Sequence, residues 1–261
     1  MIKISYHRSH IIATAIVLFL VTTMYSQDQE RAYMKFEQAN GLYRNQDYEE
    51  AVNLYQKILK DGYSSAEVYY NLGNSNFKLK KVAHSIYNFE KALLLDPNDK
   101  EILENLKMAN KLAIDSIEVV EANLMDEIAR LTTHLGGNNE LGYLSVVFCF
   151  LMCTSFLLFY FSKKTKSKKN YFSFTIILCT LMIGVTVSAD LQWRLRNEHP
   201  QAIIFSKNIS VKNAPIESSK NIFTLHEGTK VEIVEDVDIW KKIKISNGKT
   251  GWVNSKDMKK L

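Results

Sequence analysis

Apolar residues along the 261-residue chain fall into three solid blocks and two patterned regions. Residues 141–161 and 171–189 hold no Asp, Glu, Lys, Arg or His. Each approaches the ~20 residues that a helix needs to cross ~30 Å of hydrocarbon, so the pattern predicts two membrane-spanning helices. The third block, Ile11 to Met24, is shorter, follows Lys3 and Arg8, and gives way to polar residues from Ser26. That layout predicts an export signal over residues 1–26, with cleavage near Ser26 or retention as an uncleaved anchor as the two alternatives. Between this block and the spans, residues 27–135 place apolar side chains at helical spacing. Beyond the spans, residues 198–261 switch to two-residue alternation, as in Lys230-Val231-Glu232-Ile233 and Lys242-Ile243-Lys244-Ile245, which gives each strand one apolar face.

Charge then orients the chain. The segment between the spans, 162–170, carries Lys163, Lys164, Lys166, Lys168 and Lys169. Short loops rich in lysine stay in the cytoplasm, so the first span runs inward and the second returns. Both patterned regions then face the same non-cytoplasmic compartment, in agreement with an export signal at the start. The net charge of +5 equals the charge of this one loop. Topology therefore accounts for the lysines, and a nucleic-acid partner is not implied.

Within the helical region, the sequence matches itself at a period of 34 residues without a gap: 32–65 aligns with 66–99. Ala39 falls on Gly73, Tyr43 on Phe77, Ala51 on Ser85, Tyr55 on Phe89 and Leu59 on Leu93. Small residues recur where antiparallel helices approach and large ones where they interlock. Pro97 follows the last apolar turn of the second unit, where a helix must stop. Tyr69, Leu72, Gly73, Phe89, Ala92 and Pro97 give the second unit a close resemblance to the tetratricopeptide repeat; the first unit is weaker, with alanine at position 39 and tyrosine at 63. Two units fall short of the ~3 that close a stable core. A capping helix is expected over 100–134, with Ile102, Leu103, Leu106, Ala109, Leu112 and Ala113 toward the second unit.

The resemblance implies a concave groove lined by the first helix of each unit. Its expected lining is Phe36, Asn40, Tyr43, Glu67, Tyr70, Asn71, Asn74, Phe77, Lys78, Glu101 and Asn105. Asparagines among aromatics suit an extended peptide, because amides bond its backbone while rings pack its side chains. Glu101 and Glu104 oppose a simple acidic tail as the ligand.

The strands of the last region are short and separated by turn signals, including Asn247-Gly248, a favoured two-residue hairpin turn. About 60 residues of such strands point to a small barrel. The line from Val211 to Val253, closing on Gly251-Trp252-Val253, resembles bacterial SH3 domains. Such domains bind peptides or cell-wall cross-bridges through aromatic clefts, and Phe223, Trp240 and Trp252 are the rings available for one. Trp252 has a competing role in the barrel's own packing.

Catalytic chemistry finds no foothold. The six histidines are scattered apart from His7 and His10 in the signal, and Cys149, Cys153 and Cys179 all lie in the spans. No nucleophile with a base, no metal-ligand spacing and no glycine-rich phosphate loop is present. No cofactor is expected, and the protein is read as a non-enzyme. The fold class is a multi-domain membrane protein: an all-α tetratricopeptide array, two transmembrane helices and a small all-β SH3-like barrel. That whole-chain order resembles the BatE family of the Bacteroides aerotolerance group. The resemblance implies a bacterial inner-membrane scaffold with both soluble domains in the periplasm. Its partners would be von Willebrand A-domain membrane proteins, working with a cytoplasmic MoxR-type ATPase in oxygen or stress tolerance. The alternative is a cell-wall adaptor whose SH3 domain grips peptidoglycan while the repeats recruit wall enzymes.

Overall fold

The structure is a computed structural model, described over residues 28–115, 138–198 and 200–261. The export signal and the later part of the expected capping helix, 116–134, lie outside the described residues.

Helix α1 covers residues 28–44, followed by α2 (Tyr48–Lys60), α3 (Ala66–Lys78), α4 (Val82–Leu95) and α5 (Lys100–Asn110). Sequence chemistry sets the ends. The Ser65 side chain accepts from the Val68 amide at the start of α3, and Asp99 accepts from the Glu101 and Ile102 amides at the start of α5. The turns inside the two units are built alike. Gln46 N–H donates to the Tyr43 carbonyl and Asp47 N–H to the Leu42 carbonyl, and 34 residues later Lys80 and Lys81 donate to Phe77 and Asn76. Gln46 and Lys80 occupy the left-handed conformation, with φ of 67° and 59°, as this helix-ending motif requires. The repeat in sequence is thus a repeat in hydrogen bonding.

Packing follows the same register. Ala39, Ala51, Tyr55 and Ile58 are buried together in the first unit, and Ala83, Ile86, Phe89 and Ala92 in the second, where Ile102, Leu106 and Ala109 of α5 cover them. Gly73 is required here: a Cβ would lie 2.7 Å from the Phe89 ring. The capping helix is shorter than expected. It ends at Asn110, turns through Lys111 to Ile114, and leaves Leu112 exposed rather than packed.

Two helices are long and apolar enough to cross a membrane: α6 (Asn138–Phe161) and α7 (Thr165–Glu198), with apolar stretches at Leu141–Phe161 and Thr165–Leu191. They pack on each other around Ser155, whose hydroxyl donates to the Tyr171 carbonyl and accepts from Thr175. The loop between them is shorter than the nine residues expected. Only 162–164 lie outside helix, and Lys166, Lys168 and Lys169 open α7, all five lysines being exposed. Long lysine stems let the charges reach water from a helical backbone, and Lys168 sits 5.4 Å from the centre of the Phe159 ring.

The remaining chain forms β1 (Gln201–Ile204), β2 (Asn208–Lys212), β3 (Asn221–His226), β4 (Lys230–Val237), β5 (Trp240–Lys244), β6 (Thr250–Asn254) and β7 (Met258–Lys260). These strands make one antiparallel sheet in the order β3-β2-β6-β5-β4-β1-β7. It closes over Ala202, Ile204, Val211, Leu225, Val231, Ile243 and Val253. The turn at Asn247-Gly248 is longer than the two residues expected: Gly248 N–H donates to the Ile245 carbonyl and Ile245 N–H to the Lys249 carbonyl, so Ser246 to Gly248 form a three-residue loop between β5 and β6 in which Gly248 alone takes positive φ, at 85°. Strand β1 also touches α4, so repeats and barrel meet.

Candidate functional site

A groove on the repeats has a volume of about 470 Å³ and is lined by Tyr43, Tyr70, Asn71, Asn74, Phe77, Lys78, Phe89, Glu101, Asn105 and Met108. Its floor is ordered by an asparagine ladder. Asn71 Nδ2 donates to Asn40 Oδ1 at 3.0 Å, and Asn105 Nδ2 donates to Asn74 Oδ1 at 3.0 Å. Both pairs are separated by 31 residues, so the second is the first advanced by one repeat. Asn40 Oδ1 also accepts from the Tyr55 hydroxyl at 2.6 Å. Asn74 also hydrogen-bonds the Tyr70 side chain, while Asn71 Oδ1 and Asn105 Oδ1 take no part in the ladder. An extended peptide backbone presents the complementary N–H groups.

Tyr70 is the hub of the second half. Its hydroxyl donates to Glu101 Oε1 at 2.6 Å and accepts from Asn105 Nδ2 at 2.8 Å. Burial, reinforced by the carboxylate of Glu101, pushes the phenol up to about 12, so it remains a donor at every physiological pH. Tyr55 is raised as well, chiefly by burial. Glu101 is therefore held by Tyr70 beside Asn105, and the groove carries one fixed carboxylate and the ammonium of Lys78.

Of the expected lining, Tyr43, Tyr70, Asn71, Asn74, Phe77, Lys78, Glu101 and Asn105 are brought together. Three residues are not part of the lining. Phe36 packs on the Tyr55 ring at 6.0 Å between centroids, Asn40 is spent on the ladder, and Glu67 is exposed at the start of α3. Phe89 reaches the groove from the second helix of its unit, which a reading restricted to first helices omits. Its signal is the glycine at 73, which lets that ring through.

The expected aromatic cleft of the barrel is closed. Trp240 and Trp252 are both only 8% exposed, and Phe223 is half-buried against the barrel core. Lys212 lies opposite Trp252 across the β2–β6 pair, is bonded to the Glu217 carbonyl, and sits 6.0 Å from the Trp240 ring centre. Lys242 lies 5.8 Å from that of Trp252. Each tryptophan thus has a lysine ammonium over its ring. Among the described residues, no group of three or more His, Cys, Asp or Glu is placed to hold a metal ion.

Comparison with known proteins agrees with the two soluble modules. The profile of the bacterial SH3 domain matches residues 207–259, and that of the tetratricopeptide repeat matches residues 66–99. Neither is an enzyme family; both are interaction modules. Among solved structures, a crystal structure of YrrB, described as a TPR protein with an unusual peptide-binding site, is similar at 16% identity over 64% of this chain and 74% of that chain. Its TM-score of 0.30 is too low for the overlap to carry a shared arrangement. No curated protein matches. The chain therefore combines a tetratricopeptide repeat, two helices able to span a membrane and a bacterial SH3 domain, the parts of a protein-interaction adaptor.

Proposed function

We propose that the protein is a non-enzymatic membrane scaffold whose repeat groove holds an extended segment of a protein partner. The observation that carries this is the asparagine ladder, which leaves Asn71 Oδ1 and Asn105 Oδ1 outside its bonds, set among Tyr43, Phe77 and Met108 in a groove of about 470 Å³. Membrane attachment narrows the partner. Glu198 at the end of α7 and Gln201 at the start of β1 are three positions apart, at most about 11 Å of extended chain. The barrel, and the repeats it touches, stay close to the bilayer, which favours a partner that is itself a membrane protein. Contact between repeats and barrel also requires both on one side of the membrane, in keeping with the topology read from the lysines. The module order supports the further reading that the protein is a BatE-type scaffold, in the periplasm of an inner membrane, bound to von Willebrand A-domain proteins.

The test is purification in mild detergent with identification of co-purifying chains, for wild type and for Tyr70→Ala with Asn71→Ala. Loss of membrane proteins with von Willebrand A domains from the variant supports the scaffold. A partner set untouched by the variant removes the groove from the mechanism. The cell-wall reading has one observation in its favour, the SH3 match over 207–259, and the burial of Trp240 and Trp252 weighs against it. Retention on purified sacculi that Trp252→Ala abolishes, with the fold intact, would restore it.

A further inference from the structure

Strand β1 is buried on both faces: Ala202, Ile203 and Ile204 are each 0% exposed. Successive side chains of a strand point to opposite sides. Ala202 and Ile204 accordingly enter the core of the barrel. Ile203 points away from it and joins Ala83, Ile86 and Phe89 in the core of the second repeat, with Phe205 and the terminal Leu261 packed against the same cluster. The Phe205 ring meets His84 and Tyr87 of α4 edge-on, at 4.9 and 5.7 Å between centroids. An isolated barrel would expose all three apolar side chains.

Polar contacts surround this apolar centre. Just past the end of α5, Asp115 accepts from the His226 amide at 2.6 Å and the Thr229 hydroxyl at 2.6 Å, and meets His226 Nδ1 at 2.8 Å. Lys230 Nζ lies 2.7 Å from Glu90 Oε2 of α4, and Lys259 sits 4.4 Å from the Tyr87 ring centre. The turn before β4 comes so close that a Cβ on Gly228 would lie 2.9 Å from Ile86 Cδ1. An apolar centre with a bonded polar rim is the anatomy of a specific interface.

We propose that the barrel is the C-terminal cap of the repeat array. It covers the flank of α4 that α3 and α5 leave open, and so supplies the burial that two units and one helix lack. Capping, rather than ligand capture, is the role of its β1, β3–β4 turn and C-terminus. Repeats and barrel then act as one body from which the membrane hairpin departs. Because α4 presents Phe89 to the groove and Ile86 and Glu90 to the barrel, docking also sets the shape of the groove.

The experiment is amide hydrogen exchange on the full chain in mild detergent, without partner, so its outcome is independent of whether the groove reading holds. Phe205→Lys places a charge on the docking face and leaves the inner face of β1 intact. Exchange in α4 and α5 is expected to rise about tenfold or more, with β5 and β6 still protected. Glu90→Lys should produce the same pattern to a smaller degree, and adding Lys230→Glu should restore protection. Unchanged α4 exchange in Phe205→Lys, or protection lost in the barrel alone, would overturn the proposal. So would a charge reversal that the second substitution leaves unrepaired.

Discussion

Replacing Asp115 with alanine removes the most bonded polar group at the rim of the contact between repeats and barrel, and the structure fixes what is lost. The carboxylate takes hydrogen bonds from the His226 amide, the Thr229 hydroxyl and the His226 ring. In Asp115→Ala the partly buried amide has no other acceptor at that place, which costs about 1–3 kcal/mol. Thr229 keeps the His226 carbonyl, 2.9 Å away, and the His226 ring, 26% exposed, can turn to water, so each of these adds roughly 0–1 kcal/mol. The sum is about 1–5 kcal/mol, or a fall in Tm of roughly 2–20 °C for a body of this size unfolding cooperatively. The pH dependence of the effect follows from the carboxyl itself. Burial alone would raise it, but the bonds from Thr229 and His226 outweigh burial and hold it below its ordinary value. A carboxyl lowered on folding contributes stability above its unfolded pKa of about 3.9 and loses it as pH falls through the lowered value. The Asp115 carboxyl should therefore contribute a constant part of the Tm gap between wild type and Asp115→Ala from pH 8 to 5, and that part should close below about 4. Melting followed by tryptophan fluorescence measures it. A gap under 1 °C at pH 7 would show that this contact holds nothing together.

Other substitutions probe neighbouring features. Burial and the charges of Lys81 and Lys259 hold His84 below its ordinary value; a histidine lowered on folding loses its contribution as pH falls below about 6.5, so His84→Gln should flatten the decline of Tm between pH 7.5 and 5.5, and an unchanged slope would exclude His84 as its source. Asn76 is buried with Oδ1 unbonded, where the first unit has Leu42, so Asn76→Leu should stabilise by about 1 kcal/mol in chemical denaturation; a loss would show that the site cannot take the larger side chain. Gly73→Ala drives a methyl to 2.7 Å from the Phe89 ring and should cost about 1–3 kcal/mol. The first unit holds the same alanine against Tyr55, so a neutral result would mean that Phe89 yields as Tyr55 has.

Much of the architecture was legible because it repeats or alternates. The 34-residue period returns as identical turn hydrogen bonds at Gln46 and Lys80, and the alternating runs from Lys230 to Ile233 and from Lys242 to Ile245 fall in β4 and at the end of β5. Strand β7, Met258–Lys260, escaped, being three residues whose only partner is β1, distant in sequence. Eight groove residues followed from repeat register, whereas Phe36 and Asn40 were drawn off by Tyr55, a residue of the second helix. The burial of Trp240 and Trp252 was hidden for a related reason. That Lys212 and Lys242 lie over the tryptophans depends on strand order, which local pattern does not contain.

By itself the sequence determined the modules, their order and the apolar helices, since each rests on local periodicity and on composition against water or lipid. It also carried an unread sign of the docking, the unbroken apolar run Ala202-Ile203-Ile204-Phe205, which is what a strand covered on both faces requires. Only the tertiary structure decided what covers the outer face. Asp115 and His226 are 111 residues apart, with both apolar helices between them, and no local signal specifies a contact made by closing so long a loop.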